Sequence, residues 1–495
     1  MIVKVFAVAQ LPNFPASKTS IMNKHSQDLQ FKLLPWLIAT AFFMQMLDGS
    51  VLNTALPAIA ESFGANPLRM QATVIAYMLS VAVFLPVSGW LADKFGVKKI
   101  FMTAIVIFTF GSLLCSLSGS IITLSASRVL QGIGGAFLIP VGRLAVLRVY
   151  PRSQYVKILS FIVLPALIGP LIGPMVGGFL VQYASWHWIF LINIPVGIVC
   201  FIAAIYCMPK IKVFETAKFD WLGFVLFDSA VLLLFAFAAR NNFLGISRII
   251  IFYTSAILIL AFCLYSIKKK NVLFNLKMFE NRSFAIGITG NFFTRLAGGA
   301  MPFLAPLFLQ TAIGYSPAKA GATLLPMGIA AIFAKSVVTP AITKFGYRNF
   351  LIINTAFLSA FVASISLIDN STPYIAILVL FALFGAANSF QFTAVNALTL
   401  IDLPDNMISG GNALLSVVMQ VSMAMGVAVA ALLLAAVGDL QETKNFHAGN
   451  ILFTFHSTYI IIGVISFISS IVFFFIQKDA GSKIKDTETA ITNYE

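Results

Sequence analysis

Long apolar runs, separated by short polar segments, follow one another along most of the chain. Because a helix of about twenty apolar residues crosses a bilayer, each run predicts one transmembrane helix. The pattern predicts an all-α polytopic membrane protein with fourteen spans. These spans are 33–58, 70–92, 100–119, 122–147, 156–181, 188–208, 220–239, 249–267, 284–311, 317–341, 349–368, 373–400, 410–436 and 454–476.

The composition agrees with this interpretation. Of the 495 residues, 59% are hydrophobic and 10% are charged, whereas an ordinary soluble domain is about 25% charged. A soluble core cannot enclose so much apolar surface, because too little of a folded chain is interior. A soluble enzyme, a disordered chain and a secreted disulfide scaffold are therefore excluded. The four cysteines all lie in apolar runs and are interpreted as small core residues.

Positive charge is concentrated in alternate loops. The net charge of +15 comes from 32 Lys and Arg against 17 Asp and Glu. With the N-terminus inside, and with the span-end residues Arg143, Lys157 and Lys319 counted with their adjoining loops, 24 of these cations fall in inner segments, five in outer loops and three within spans. The positive-inside rule then predicts that both termini are cytoplasmic. Because the cations flank spans and form no single basic patch, they do not indicate nucleic-acid binding.

Two sequence matches share one register and indicate an internal repeat. Residues 42–49 align with 292–299, and residues 94–96 align with 344–346, both at an offset of 250. Paired repeats with a cavity between them are a transporter architecture. The predicted organisation is a cytoplasmic tail at 1–32, a six-helix bundle at 33–208, a linker with two inserted helices at 209–283, a second six-helix bundle at 284–476 and a cytoplasmic tail at 477–495.

Charged and amide side chains within the spans are the first candidates for function. Asp48 lies midway through the first span, where a carboxylate costs roughly 2.5–3.5 kcal/mol and so faces a cavity or a partner. It is a candidate proton carrier, and the alternative is an interhelical hydrogen bond without a transport role. Arg128 and Gln131 share one face of the fourth span. Arg128 can tune a nearby carboxylate or simply clamp neighbouring loops.

The turn between the second and third spans combines glycines with charges. Glycine permits a tight turn, and the acid and the lysines can pair across the inner mouth. We interpret the segment as a cytoplasmic gate, with a simple topology signal as the alternative. Its candidate residues are Gly89, Asp93, Lys94, Gly96, Lys98 and Lys99.

The fifth span carries closely spaced small residues and prolines, which favour a bent and tightly packed helix. A helix pair that moves is one interpretation, and plain packing is the other. The residues concerned are Gly169, Gly173, Pro174, Gly177 and Gly178.

Four further polar residues lie within predicted spans. Asn53 and Arg295 are candidates for lining a cavity. Lys335 lies within snorkelling reach of the inner surface, and Asp228 lies in the inserted pair, away from the expected cavity.

These segments together resemble the major facilitator superfamily, over nearly all of 33–476. Segment 89–99 is similar to its motif between spans two and three, 128–132 to its fourth-span motif, and 169–178 to the antiporter motif typical of exporters. Segments 47–57, 186–195 and 219–223 resemble its fourteen-span drug:proton antiporter branch of the EmrB/QacA type. Two departures are His187, where much of the branch has Arg, and Thr343, where the second-half turn lacks an acid matching Asp93.

The resemblance implies export of small organic molecules driven by proton entry. It links the first-span acid and the fourth-span arginine to proton coupling, and the segment 89–99 to closing the inner side. The expected protein is an antiporter of the bacterial inner membrane that exports amphipathic compounds by alternating access, with protons, a small-molecule substrate and the lipid bilayer as its partners.

Two other functions remain open at this point. One is a dedicated exporter of an endogenous anion such as a siderophore or an organic acid. The other is a membrane receptor or assembly factor that keeps the scaffold without transport. No metal cluster, nucleophile–base pair or nucleotide loop is apparent in the sequence, so neither an enzyme activity nor a cofactor is predicted.

Overall fold

A computed structural model describes residues 24–151, 154–209, 219–238, 247–269, 272–442 and 451–477. Within these ranges the chain is helical and contains no strand, as the apolar runs predict. Most of the predicted tail at 1–32, nearly all of the tail at 477–495 and the first part of the linker lie outside the described residues. Twelve helices of the described part are long and apolar enough to cross a membrane.

The described residues up to 209 form eight α-helices. Ser120 starts the fifth with a capping box, in which its side chain accepts a hydrogen bond from the backbone of Thr123. The connection that contains Ser120 is short, and such connections keep consecutive helices side by side. The helices are α1 (Lys24–Ser62), α2 (Gln71–Phe84), α3 (Val87–Phe95), α4 (Val97–Ser116), α5 (Ile121–Val149), α6 (Tyr155–Tyr183), α7 (Trp188–Leu191) and α8 (Asn193–Cys207).

Eight more α-helices follow among the described residues. Asn281 and Ser316 cap two of them, because their side chains accept hydrogen bonds from the backbone N–H three residues on. The helices are α9 (Trp221–Ala238), α10 (Arg248–Lys268), α11 (Arg282–Thr311), α12 (Pro317–Thr323), α13 (Leu325–Ser364), α14 (Tyr374–Ile401), α15 (Asp405–Glu442) and α16 (Ile451–Ser469).

Two glycines separated by the repeat offset have the same unusual backbone conformation. Gly96 has φ 92° and separates α3 from α4, and Gly346 has φ 72° and interrupts α13. A side chain disfavours positive φ, so glycine suits both positions. Each follows a Lys-Phe pair, so the sequence match extends to the backbone.

Helix α6 lies between the two halves of the chain and packs against both α1 and α12. Close to its C-terminal end, the backbone of Gly178 approaches that of Pro317. Nearby, Gln310 Nε2 donates to the carbonyl of Thr54 at 2.9 Å and so joins α11 to α1. We call this end of the molecule the sealed end. At the opposite end, the side chains of α13 between 335 and 345 are mostly exposed.

Many large apolar side chains lie on the outside of the molecule. Helix α10 is an example, with Ile249, Ile257 and Ile267 each more than 60% exposed. Soluble monomers rarely expose such extended apolar surface. The surface therefore matches a lipid environment, which explains how a chain that is 59% hydrophobic can fold without enclosing all of its apolar residues.

Candidate functional site

Asp48 lies at the centre of a buried polar network in the first half of the chain. Its Oδ2 accepts a hydrogen bond from Arg128 Nη1 at 2.6 Å. Its Oδ1 accepts from Gln131 Nε2 and from Asn193 Nδ2, each at 2.8 Å. Arg128 Nη1 also donates to Gln131 Oε1 at 2.8 Å. All four side chains are at most 3% exposed, so the carboxylate has hydrogen-bonding partners on both oxygens and no contact with bulk water.

The network joins four helices. Asp48 comes from α1, Arg128 from α5 and Asn193 from the start of α8, and Asn193 Nδ2 also donates to Ser112 Oγ of α4 at 3.1 Å. The guanidinium of Arg128 lies 4.2 Å from the ring centre of Tyr77 on α2, within range of a cation–π interaction. The sequence had placed Asp48, Arg128 and Gln131 as candidates, whereas it suggested no role for Ser112 or Tyr77.

The predicted gate segment forms its ion pair within the first half of the chain. Asp93, on α3, accepts a hydrogen bond from Arg148 at the end of α5. Lys98 donates to the carbonyl oxygen of Ile205 on α8. The sequence had suggested pairing among the charges of the segment and across the inner mouth, and it had not singled out Arg148.

One of the remaining gate candidates, Lys94, lies beside an aromatic cluster. Lys94 Nζ lies 4.6 Å from the ring centre of Trp90, and Trp90 contacts the ring of Trp221 at the start of α9. Lys99 is exposed, and a Cβ added at Gly89 would meet no atom within 4 Å. The gate segment is therefore in contact with the start of α9.

The glycines of the fifth predicted span are at positions where helices come very close. Added Cβ atoms would clash with α1 at three of them and with α12 at a fourth, so larger side chains would force the helices apart. In turn, the backbone of Pro174 lies where a Cβ at Gly321 of α12 would lie. The clashes would be between Gly169 and Leu47 N (2.8 Å), Gly173 and Ser50 Oγ (1.9 Å), Gly177 and Val51 O (2.5 Å), and Gly178 and Pro317 O (2.1 Å).

A cavity of about 310 Å³ lies among helices α6, α11, α13, α14 and α15. Arg295 and Lys335 both line it, together with amide and hydroxyl side chains and a larger number of apolar ones. Arg295, a candidate for lining a cavity, thus lies in the wall of this one, and Lys335 faces the same cavity. Asn53 is not among the lining residues. It is buried, and its Nδ2 donates to the carbonyl of Gly49 at 3.4 Å.

The remaining candidates belong to neither place. Asp228 is 5% exposed on α9 and does not line the cavity. The four cysteines are free and buried or partly buried, as small core residues would be. No group of three or more His, Cys, Asp or Glu that could hold a metal ion occurs in the part of the chain that the structure describes.

The sequence and the fold agree with known transporters. The family model described as Major Facilitator Superfamily matches residues 38–427 and, in a second match, residues 287–493. The chain therefore belongs to the major facilitator superfamily, and it is a multi-pass membrane protein.

Curated relatives and solved structures support the same assignment. Over 412 residues the chain is 45% identical to proteins named multidrug resistance protein MdtD from Shigella sonnei and Escherichia coli, which covers 82% of this chain and 86% of each relative. A D-xylose-proton symporter aligns with a TM-score of 0.64 at 15% identity, over 92% of this chain and 99% of the symporter. A POT family peptide transporter aligns with a TM-score of 0.65 at 12% identity, over 88% and 96%. At these identities the structures show the shared fold.

Proposed function

We propose that the protein is a proton-coupled antiporter that exports small amphipathic organic compounds, as in multidrug efflux, by alternating access. Family membership and the 45% identity to proteins named for multidrug resistance support the transport of drug-like molecules. The observation that carries the coupling mechanism is the buried ion pair between Asp48 and Arg128. Asp48, Arg128 and Gln131 are its proposed coupling residues.

The proposed architecture has fourteen spans, with six-helix bundles at 33–208 and 284–476 and two inserted helices between them. The twelve long apolar helices count Pro317–Leu367 as one stretch of 51 residues, although Gly346 interrupts it. They also leave out the shorter apolar helix Trp221–Phe237. Dividing the first and adding the second gives the proposed number.

The proposed orientation places both termini in the cytoplasm of a bacterial cell, with the protein in the inner membrane. Its support is the distribution of the cations, of which 24 fall in inner segments and five in outer loops. The sealed end then faces outward, and the exposed end of α13 faces the cytoplasm. In this assignment the structure corresponds to a state that is closed to the outside.

Proton coupling follows from the two charge states of Asp48. When it is ionised, the carboxylate attracts Arg128 and accepts hydrogen bonds from Gln131 and Asn193. Protonation removes the negative charge, so the buried guanidinium loses its counterion and the arrangement of α1, α5 and α8 becomes less stable. Arg128 itself does not release its proton. Proton entry at Asp48 can thereby shift the balance between two conformations.

Helix α6 provides the physical connection between the proton site and the cavity. Gly169 and Gly173 pack against the residues of α1 on either side of Asp48, and Ser50 Oγ donates to the carbonyl of Gly169 at 3.3 Å. The same stretch of α6 lines the cavity with Pro170 and Leu171. A movement of α1 on protonation is therefore transmitted directly to a wall of the cavity.

The driving force is adequate for export. One proton moving down a potential of 100 mV releases about 2.3 kcal/mol, and one pH unit adds about 1.4 kcal/mol. At one proton per substrate, the two together support a gradient of several hundred-fold.

The experiment that tests the proposal is flux in proteoliposomes that contain the purified full chain. Vesicles are loaded with fluorescent amphipathic dyes, a pH gradient is imposed, and dye movement is compared with that in protein-free vesicles. We expect dye movement coupled to counter-movement of protons. Binding without flux would contradict the proposal and favour a receptor, and flux that ignores the pH gradient would contradict proton coupling.

A further inference from the structure

The cavity carries positive charge and no negative charge. Two of its lining residues, Arg295 and Lys335, are cations, and none is an acid. We propose that this cavity binds organic anions, in particular an amphipathic molecule whose carboxylate meets Arg295 and whose apolar body fills the rest of the space. The inference rests on the proposed transport function and names the substrate class of that function.

Arg295 is held in place by neutral groups. It is 8% exposed, and its Nε donates to Asn291 Oδ1 at 3.0 Å while its Nη2 lies 3.4 Å from Asn396 Oδ1. The guanidinium lies 4.0 Å from the ring centre of Phe392. Among the described residues no carboxylate pairs with Arg295, and no protein hydrogen bond engages its Nη1. The side chain is thus fixed in position with its charge uncompensated.

Arg128, also buried among the described residues, provides a comparison. Arg128 has Asp48 at 2.6 Å and is 1% exposed. A buried cation requires a partner of opposite charge, and the protein supplies one to Arg128. For Arg295 the described residues supply only amides and an aromatic ring. A ligand in the adjacent cavity can therefore supply the negative charge that balances it.

A second donor faces the same space. Gln391 lines the cavity and is 3% exposed. Its Oε1 accepts a hydrogen bond from Asn354 Nδ2 at 2.8 Å, which orients the amide. Its Nε2 has no hydrogen-bond partner in the described structure. A buried donor of this kind is normally satisfied, and an acceptor oxygen on a ligand would satisfy it.

The shape and lining of the cavity define the rest of the ligand. A volume of about 310 Å³ suits a small organic molecule. Pro170, Leu171, Pro302 and Met327 form apolar walls beside the polar groups. The planar guanidinium matches the two oxygens of a carboxylate. A cationic molecule of the same size would be repelled by both charges, so the cavity discriminates by unfavourable as well as favourable contacts.

Binding of three probes that share one anthracene ring and differ in charge, measured with the full chain in lipid nanodiscs, tests the proposal. The probes are 9-anthracenecarboxylate, its neutral methylamide and the cationic 9-aminomethylanthracene, with empty nanodiscs as the blank. We expect the carboxylate to bind at least about tenfold more tightly than the other two. Anthracene-9-sulfonate serves as a further arm, and weaker binding of it than of the carboxylate would agree with planar, bidentate recognition. Equal binding of the three charge states, or tighter binding of the sulfonate, would overturn the proposal.

Variants then assign the preference to the named residues. Arg295→Gln should bring the carboxylate and the amide within about threefold of each other, and Arg295→Lys should retain part of the difference. Gln391→Glu keeps the acceptor for Asn354 but adds a negative charge, so it should abolish carboxylate binding. Arg348→Gln, a cation of the same half outside the cavity lining, should behave as the wild type. A preference that survives Arg295→Gln and Gln391→Glu would exclude this site.

Two failures can be told apart. If pH-driven efflux is measured for neutral or cationic dyes and anions show no preference, the inference fails and the proposed function stands. If no compound moves with the pH gradient but the carboxylate still binds through Arg295, the proposed function fails and the anion site stands. Methylamide binding by each variant confirms that the cavity is folded, so a loss restricted to the carboxylate is a loss of charge recognition.

Discussion

The carboxylate of Asp48 and the guanidinium of Arg128 lie 2.6 Å apart between α1 and α5, and both side chains are 1% exposed. In such a place the loss of one charge is costly, because the remaining charge is buried without a counterion. Protonation of Asp48 and its replacement by asparagine have this consequence in common. The pair is thus well suited to make the preferred conformation depend on whether Asp48 carries a proton.

The first prediction concerns Asp48 itself. Asp48→Asn should abolish pH-driven efflux in proteoliposomes while leaving substrate binding measurable. The variant should also lose stability, by as much as about 3–5 kcal/mol, since Arg128 is left unpaired. Asp228→Asn is the matched control, because it alters another buried acid that lies outside the network, and it should retain pH-driven efflux.

The double variant Asp48→Asn/Arg128→Gln separates coupling from stability. It removes both buried charges, so it should recover much of the thermal stability without recovering pH-driven efflux. If Asp48→Asn exports like the wild type, the proton site lies elsewhere.

A second prediction concerns the ion pair between Asp93 and Arg148. Asp93→Asn should impair transport while expression stays near normal, because a partly exposed ion pair contributes at most about 1 kcal/mol to stability. The charge exchange Asp93→Arg/Arg148→Asp should restore part of the activity if pairing is what matters. Initial efflux rates and membrane yields check both variants, and normal transport by Asp93→Asn would leave the segment only a topology signal.

The sealed end provides a third prediction. Gly178→Ala would place a Cβ 2.1 Å from the carbonyl oxygen of Pro317, so α6 and α12 could no longer approach as they do. The equilibrium between the conformations that are closed and open at the sealed end should therefore move toward the open one. In a background without the native cysteines, Thr54→Cys, buried at this end, should then react faster with a membrane-impermeant maleimide.

Gly438→Ala is the control for that measurement. A Cβ at this position of α15 meets no atom within 4 Å, so labelling should match the parent protein. Equal labelling of the Gly178→Ala and Gly438→Ala proteins would show that the α6–α12 contact does not control access.

Orientation is the subject of the fourth prediction. Reporter fusions or single cysteines at Lys99, Lys270 and Glu495 should report the cytoplasm, and those at Asn242 and Glu442 should report the outside. We expect this because Lys99, Lys270 and Glu495 lie in the segments that carry the excess of cations, which the positive-inside rule places in the cytoplasm. An outside report at Lys270 would contradict the fourteen-span arrangement.

The fifth prediction concerns the attachment of the pair α9–α10. Asp220, just before α9, accepts hydrogen bonds from Tyr265, Lys269 and the backbone of Leu273. Burial alone would raise the pKa of the Asp220 carboxyl, but the hydrogen bonds from Tyr265, Leu273 and Lys269 outweigh it and hold the pKa below its usual value. Asp220→Asn should therefore lower the apparent melting temperature in detergent, with a loss of about 1–3 kcal/mol.

The pH dependence of this contribution has a definite sign. A carboxyl whose pKa is depressed in the folded state stabilises the fold at pH values above its unfolded pKa. This stabilisation is lost as the pH falls through the folded pKa. The wild type and the Asp220→Asn protein should thus differ from neutral pH down to about pH 4 and converge below it. A difference that grows on acidification below pH 4 would contradict this role for Asp220.

The hydropathy pattern alone predicted the helical class and the apolar segments, because the need to satisfy every backbone group inside a bilayer leaves the helix as the only solution for such runs. Buried charges were equally visible. An acid or an arginine within an apolar run is expensive, so Asp48, Arg128 and Arg295 were candidates before any contact was known. The two Lys-Phe-Gly segments, at 94–96 and 344–346, also indicated the internal repeat.

Only the tertiary structure decided which of these groups meet. Asn193 lies 145 positions from Asp48 and reaches it because α8 packs beside α1. Nothing in the sequence around Gln391 indicated that its amide would face the same cavity as Arg295 with Nε2 unpaired among the described residues. That arrangement depends on how α11, α13 and α14 are rotated against one another. Hydropathy is a property of each segment, whereas helix rotation and crossing depend on where small residues such as Gly173 and Gly178 allow close approach. The sequence therefore determined the polar residues that the membrane would bury, and the packing determined that Asp48 would have a charged partner while Arg295 would face a cavity.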